Sequence, residues 1–320
     1  MLKSGTRSPR IKNRTSTLDQ VILQCMALGG VAYMLLFFYA PMYGCSLACK
    51  DYKFYKGILG SDWVGMANFA ELFNDPNMGI VMRNTICLSL LKILICFPIP
   101  ILFAVLLSEF QLNRYKRLVQ TASYFPHFIS WVIISLMMNY LFTDDNSLMN
   151  TFLKSMGLTQ QSYNMLNDPD AFYWICVWSE TWKEMGWSSI IFLAAISGID
   201  REIYEAATVD GASRIQKIIY ITLPNLTNAV VIMFMMNFSG LLSGGGGAFD
   251  QSYFMGNPLN YDRSIILGTY TLEVGISLGR FSYATAVGLV NSVVSMMLLL
   301  LCNGASKRFL GRSLYIEGDY

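Results

Sequence analysis

The sequence predicts an all-α polytopic membrane protein with six transmembrane helices and both termini in the cytoplasm. Three observations carry this prediction. First, the 320 residues are 54% hydrophobic and only 14% charged, with a mean hydropathy of +0.42, whereas a soluble domain has about a quarter of its residues charged. Second, six apolar runs, at 21–44, 85–108, 119–142, 171–199, 225–243 and 281–302, meet to differing degrees the ~20 residues that a helix rising about 1.5 Å per residue needs to cross a hydrocarbon core of about 30 Å. Helix is the form expected, because every backbone N–H and C=O must be satisfied within lipid. Third, Lys and Arg are distributed unequally among the loops. Lys3, Arg7, Arg10, Lys12 and Arg14, then Arg114, Lys116 and Arg117, then Arg201, Arg214 and Lys217, and finally Lys307, Arg308 and Arg312 share one side; Lys50, Lys53, Lys56, Lys154 and Arg263 fall on the other. Fourteen against five places the first set in the cytoplasm.

Each element follows in order. The tail 1–20 is basic, and the run at 21–44 is longer than the apolar region of a secretory signal and lacks a small-residue cleavage site, so it reads as a retained helix. Residues 45–83 lie outside; "WVGMANFAELFNDPNMG" reads as a short surface helix ended by Asp75-Pro76. The second run carries Lys92, a costly charge that either snorkels or pairs between helices, with a structural role favoured. His127, in "YFPHFIS" at the third run, is expected to be a hydrogen-bonded structural histidine. Residues 143–170 are polar and Asp-rich, an external cap before the fourth run. A further external stretch spans 244–280, where "GGGGAFDQSYFMGNP" must break the fifth helix because consecutive glycines are entropically costly there. A Gly-rich phosphate cradle would need a following Lys-Ser/Thr, which is missing, so a flexible terminator is expected. Residues 264–280 are mildly apolar and expected at the outer interface leading into the sixth helix. The tail 303–320 is cytoplasmic.

These short connections leave no room for a second folded domain, so 21–302 forms one membrane domain. Five of the seven cysteines, Cys25, Cys87, Cys96, Cys176 and Cys302, fall within helices as small apolar fillers. Cys45 and Cys49 fall outside and could pair. One histidine and no Cys/His cluster argue against a metal site or Ser-His-Asp chemistry. A polytopic membrane enzyme is disfavoured, no nucleic-acid partner is expected, and no Walker-type loop, haem motif or dinucleotide fingerprint occurs. Energised work would therefore draw on a partner or an ion gradient.

One stretch, "IYEAATVDGASRIQKIIYITLP" at 203–224, reads like soluble protein. Asp200 caps a helix whose first turn holds Glu202. Ile199, Ile203, Ala206 and Ala207 recur at helical spacing, with alanines leaving a face that another protein can approach closely. Gly211 breaks the helix. Ser213 and Gln216 form an S-x-x-Q capping box that starts a second helix, which Pro224 ends or kinks into the fifth run. The acids Glu202, Glu205 and Asp210 argue against a helix lying on anionic lipid. The whole of 200–224 is shaped for docking.

Glu205-Ala206-Ala207, three residues, Gly211, nine residues, and Ile221-x-Leu223-Pro224 match the EAA signature of ATP-binding-cassette importer permeases at every position. "WVGMANFAELFNDP", "RNTICLSL", "YFPHFISWVI", "GWSSIIFLAAISGID" and "FSYATAVGLVNSV" extend the likeness over nearly the whole chain, which resembles sugar permeases of the maltose-type class, in the polysaccharide- or lipoprotein-type branch. The resemblance implies a type I importer fold and makes Glu205, Ala206, Ala207, Asp210, Gly211, Arg214, Leu223 and Pro224 the ATPase-coupling residues, with Glu205 as the ion-pairing group. It implies a second, homologous permease, two cytoplasmic ATPase subunits carrying ATP-Mg, an extracytoplasmic solute-binding protein, and a place in the plasma membrane of a prokaryote. The chain itself would hold no cofactor and perform no hydrolysis. The extra N-terminal helices and large external domain of the maltose-type large subunit are missing here, so nothing tied to those parts carries over.

The fourth run holds "SETWKEMGW", with Glu180, Lys183 and Glu184 flanked by Trp182 and Trp187. Aromatic faces and hydroxyl-binding carboxylates suit a carbohydrate, and Glu180 is one turn from Lys183, so internal pairing is geometrically possible. By the resemblance, Glu180, Lys183, Glu184 and Trp187 line a substrate pocket with Asn237 and Ser239 of "MMNFSG". The competing reading is an ion pair locking the fourth and fifth helices plus an interfacial Trp belt, and both stand on the sequence. Within the class a non-sugar solute remains an alternative; outside it, a gradient-driven secondary transporter, which predicts inverted repeats that the sequence lacks and leaves the EAA stretch unexplained.

Overall fold

The computed structural model describes residues 17–310 except 111, 144–146, 159–160 and 244–245. The basic N-terminal tail, Arg312, Gly244 and Gly245 lie outside the described residues. Helix α1 (Thr17–Met34) continues through a π turn, Leu35–Tyr39, and a 3-10 segment, Ala40–Cys49, so the apolar rod Asp19–Cys49 is longer than the 21–44 run. It stands clear of the other helices except at its last turns. A two-stranded hairpin follows, with β1 (Lys50–Asp51) antiparallel to β2 (Asp62–Trp63) and α2 (Gly57–Gly60) in its loop. The surface helix expected from the sequence is α3 (Ala67–Asn74). Cys45 and Cys49 are both free thiols.

Helices α4 (Met78–Ile95) and α5 (Pro98–Ser108) form the second apolar span, Met78–Ser108. The expected span at 119–142 is not one helix. Helix α6 (Asn113–Tyr124) passes through a 3-10 turn, Phe125–Phe128, and meets α7 (Trp131–Phe142) at 95°. Pro126 favours the helix break, Ile129 is extended, and the Ser130 hydroxyl caps α7 by accepting from the Ile133 N–H. After α8 (Leu148–Ser155) comes the 29-residue α9 (Pro169–Ser197), capped by Asp168. It is long enough to span, but Glu180, Lys183 and Glu184 interrupt its apolar character. Helices α10 (Arg201–Val209) and α11 (Arg214–Lys217) form the predicted helix–turn–helix.

Pro224 neither ends α11 nor kinks it into a separate helix. A π turn, Ile218–Thr222, widens the helix just before it, and α12 (Leu223–Ser239) completes one continuous rod, Arg214–Ser239. The wider turn relieves the clash that a proline makes with the preceding turn. Helices α13 (Ala248–Met255), α14 (Tyr261–Ser264) and α15 (Leu267–Leu272), the last extended by a π turn, Glu273–Ser277, lead into α16 (Phe281–Leu310), which runs past 302 into the expected tail. Among the described residues four helices are long and apolar enough to cross a membrane, or five if the bent α6–α7 pair is one span.

The stretch 264–280 does not simply lie on the outer interface. Ile265, Leu267, Tyr270 and Val274 pack with Leu72, Val81, Tyr283 and Val287 in one core cluster, while Ile266, Ala248 and Met255 join Leu88, Phe172 and Cys176 in another. Their apolar side chains fill the space between α4, α9 and α16, a gap that the sequence does not reveal. Helix α12 ends at Ser239, before the Gly-rich run, and the run's two described glycines lie close to other elements. A Cβ on Gly246 would lie 2.8 Å from Glu180 Oε1, and one on Gly247, which is left-handed at φ 63°, 2.6 Å from the Trp131 ring.

Candidate functional site

Two sites stand at opposite ends of the Arg214–Ser239 rod. The first is a cavity of about 330 Å³ built around the middle of α9, with walls that include Lys92, Trp131, Glu180, Glu184, Phe192 and Asn237. Lys92, 3% exposed, does not snorkel. Its ammonium forms an ion pair with Glu180 and donates to the Gly246 carbonyl at 2.7 Å and to Gln251 Oε1 at 2.6 Å. Gln251 in turn donates to the Cys176 carbonyl at 2.8 Å and the Ser179 hydroxyl at 3.0 Å. A buried charge is tolerable only with such complete pairing, since its desolvation costs several kcal/mol.

Among the described residues the internal Glu180–Lys183 pair allowed by spacing does not form, nor does an ion pair locking the fourth and fifth runs. Glu180 reaches α4 instead, and Lys183 turns toward the α6–α7 break. There the Lys183 ammonium donates to the His127 carbonyl, lies 3.3 Å from Glu184 Oε1 and sits over the Trp131 ring. His127 Nδ1 is 2.8 Å from Glu184 Oε2, and its ring stacks parallel on Trp187 at 4.2 Å. Gly186 permits this approach: a Cβ there would lie 2.1 Å from the Ser123 carbonyl oxygen. His127 is thus hydrogen-bonded, as expected.

Of the six residues the sequence points to, Glu180, Glu184 and Asn237 line the cavity. Lys183 is buried beside Trp131, Trp187 is engaged with His127 outside the lining, and the Ser239 hydroxyl donates to its own helix at Met236 O, 2.8 Å. Trp131 and Lys92 are lining residues that the sequence reading did not select; the Ser130 cap before Trp131 was the available signal for the first.

The second site is the helix–turn–helix. Asp200 Oδ1 accepts from the Glu202 N–H at 3.1 Å. Gly211 is left-handed at φ 77°, which lets the Ala212 N–H reach the Ala207 carbonyl at 2.9 Å. The capping box forms in both directions, Ser213 N–H to Gln216 Oε1 at 2.8 Å and Gln216 N–H to Ser213 Oγ at 3.3 Å. Lys217 Nζ donates to Thr208 Oγ1 at 2.7 Å, and the Tyr204 and Thr222 hydroxyls meet at 2.9 Å, tying the two arms together. No residue of α10 or α11 is buried. Glu205, Ala206, Asp210, Gly211, Arg214, Leu223 and Pro224 are exposed and Ala207 half-buried, beside Val209 at 88% and Ile215 at 68% exposure.

A polytopic helical domain with a polar-lined central cavity and a projecting helix–turn–helix defines the class of membrane transport permeases. The chain belongs to the family of binding-protein-dependent transport system inner membrane components, whose profile matches residues 83–308; it is the membrane component of an ATP-binding-cassette importer, a family in which ATP hydrolysis resides on separate subunits. It is 38% identical over 298 residues, covering 93% of this chain and 91% of the relative, to the polygalacturonan/rhamnogalacturonan transport system permease protein of Bacillus subtilis strain 168. It is 39% identical over 287 residues, 90% and 89% of the two chains, to the protein LplB of the same organism. Its fold matches, with a TM-score of 0.84 and 32% identity over 92% of this chain and 97% of the other, a chain of a bacterial alginate ABC transporter solved in complex with an alginate pentasaccharide-bound periplasmic protein.

Proposed function

We propose that this chain carries a sugar or oligosaccharide across the plasma membrane of a prokaryote, as one of two homologous permease subunits of an ATP-driven importer. In this reading six segments span the membrane, with α6–α7 as a broken span and α9 as the charged one, and both termini are cytoplasmic. An extracytoplasmic binding protein delivers the solute, and two ATPase subunits holding ATP-Mg engage 200–224. The carbohydrate assignment draws its support from the transport proteins that the chain resembles.

The observation that carries the coupling is the exposed yet internally braced helix–turn–helix. A segment with no buried residue that is nevertheless cross-tied at Thr208–Lys217 and Tyr204–Thr222 suits docking on another protein. Glu205 supplies the charge that pairs with the ATPase, Ala206 and Ala207 allow close approach, and Asp210, Gly211 and Arg214 form and flank the turn. The arms continue directly into α9 on one side and the Leu223-Pro224 segment of α12 on the other. Both helices line the cavity, through Glu180 and Glu184 on α9 and Asn237 on α12. The 26-residue rod Arg214–Ser239 is about 39 Å long, so a displacement of the turn by ATPase closure is delivered to the cavity wall. Glu180, Glu184 and Asn237 offer hydroxyl-binding groups there, while Lys183, Trp187 and Ser239 shape the surrounding helices.

The test is uptake by the complete transporter in proteoliposomes, native against Glu205→Lys. Reversing a charge at a docked pair is expected to reduce both ATP-driven uptake and ATP hydrolysis at least about tenfold, with the permease still folded by size-exclusion chromatography. Unchanged coupling, or uptake that follows an ion gradient without ATP, overturns the reading.

A further inference from the structure

A second concavity, of about 730 Å³, lies beyond the far end of the Arg214–Ser239 rod, between α13, α14 and α15 with its π turn. Its volume falls within the ~300–1,000 Å³ typical of small-molecule sites. Tyr253, 53% exposed, is on its wall, stacked on Phe249 with ring planes 6° apart. Tyr261, 42% exposed, stands on another wall with its hydroxyl 3.3 Å from Glu273 Oε2. Asp262 and Glu273 contribute carboxylates, and neither forms an ion pair among the described residues. Ser252, only 5% exposed, is on the lining, and its buried hydroxyl has no hydrogen-bond partner among the described residues. The described lining contains no Lys, Arg or His.

We propose that this groove is a binding subsite for the uncharged units of an oligosaccharide, a reading that rests on the carbohydrate assignment above. Exposed tyrosine faces receive the C–H-rich faces of sugar rings, and carboxylates accept sugar hydroxyls. Two carboxylates with no cation repel a uronate, which distinguishes this groove from a site built for an acidic saccharide. The central cavity agrees, since its lysine is fully engaged by Glu180, Gly246 and Gln251 and offers no free cation. One helix borders both sites: Gly247, at the N-cap of α13, lines the cavity, and Tyr253 lines the groove. The helix rises about 9 Å over the six residues from Gly247 to Tyr253, so a saccharide that engages both sites must be longer than one confined to either.

The complete transporter with its binding protein, in proteoliposomes, is assayed for uptake of neutral malto-, xylo- and arabino-oligosaccharides of increasing length, with oligogalacturonates of matching length as competitors. Tyr253→Ala should raise KM about tenfold for the longest transported neutral oligomer, equivalent to the loss of an aromatic contact near the upper end of its range. KM for the disaccharide and kcat should change less than about twofold, and Tyr253→Phe should restore the native value. The Asp262→Asn/Glu273→Gln pair should strengthen competition by oligogalacturonates. An equal effect at every length, no effect on any transported saccharide, or strong native competition by oligogalacturonates overturns the subsite. Loss of transporter assembly in both Tyr253 variants also overturns it, because the face is then a subunit interface. Failure of the native transporter to move any saccharide is a separate outcome that overturns the carbohydrate assignment itself.

Discussion

The helix–turn–helix at 200–217 and the charged cluster between α4, α9 and α13 solve opposite problems. The first must keep its shape with no buried residue, and does so with hydrogen bonds between residues two to nine positions apart: Asp200 to Glu202, Ser213 to Gln216, Thr208 to Lys217. The second holds charge away from water through partners remote in sequence: Lys92 with Glu180, Gly246 and Gln251, and Lys183 with His127. An exposed knob built locally survives removal of any one tie, because water replaces each lost partner. The buried cluster has no such reserve. The contrast implies that substitutions in the knob affect coupling more than stability, whereas those in the cluster affect stability first.

The largest effect that tests this contrast is at the Lys92–Glu180 pair. Lys92→Ala leaves a buried carboxylate unpaired and is expected to cost about 3–5 kcal/mol, read as a fall in melting temperature of the detergent-solubilised protein. Lys92→Met with Glu180→Met together should recover most of that loss; if Lys92→Ala alone melts like the native chain, the cluster is not the stabilising unit described. Next comes the helix contact beneath His127. Gly186→Val places a side chain where even a Cβ would be 2.1 Å from the Ser123 carbonyl oxygen, and overpacking of that kind costs about 1–3 kcal/mol. The same melting measurement checks it, and a neutral result would mean that α6 moves away from α9 freely.

A third prediction concerns pH at the surface helix α3. Asp75 accepts from the Tyr270 and Tyr283 hydroxyls and the Asn77 N–H. Burial pushes its carboxyl up, but these donors outweigh burial and hold it below the ordinary value. Burial and the Asp75 carboxylate push the Tyr270 phenol up to about 12. A lowered carboxyl stabilises above its unfolded value, about 3.9, and loses that contribution as pH falls through the folded one. A raised phenol stabilises below its unfolded value, about 10, and loses that contribution as pH rises through the folded one. Hydrogen exchange of 67–74 should therefore be slow and level between about pH 5 and 9, faster near pH 3 and faster above about pH 11, after correction for intrinsic rates. A profile level to pH 3 would remove Asp75 as the clamp. The smallest effect belongs to the knob: Ser213→Ala removes one cap and should cost about 1 kcal/mol locally, visible as faster exchange at 214–217 with little change in melting temperature. A large global loss there would erase the contrast.

The helix–turn–helix was almost fully legible in the sequence. Caps at Asp200 and Ser213 and the turn at Gly211 involve neighbours in the chain, and residue type at fixed spacing is enough to specify them. Pro224 misled, because the π turn that accommodates it follows from the continuity of the whole Arg214–Ser239 rod. The break at Ile129 had local signals in Pro126 and Ser130, yet reading 119–142 as one membrane run concealed the 95° bend. Glu180, Lys183 and Glu184 stood out as costly charges, but spacing along one helix suggested the wrong partner.

Composition, apolar run length and local capping by themselves determined a helical membrane protein with an exposed helix–turn–helix, because each depends on transfer to lipid or on contacts within a few residues. Which face of α9 meets α4, which carbonyl receives the Lys92 ammonium, and how the glycines at 246 and 247 and the apolar side chains at 265–267 close the core were decided only in the tertiary structure. Those contacts join segments roughly 60 to 180 residues apart. Burial makes them decisive: once water is excluded, a charged group's stability depends on the partner that packing brings to it.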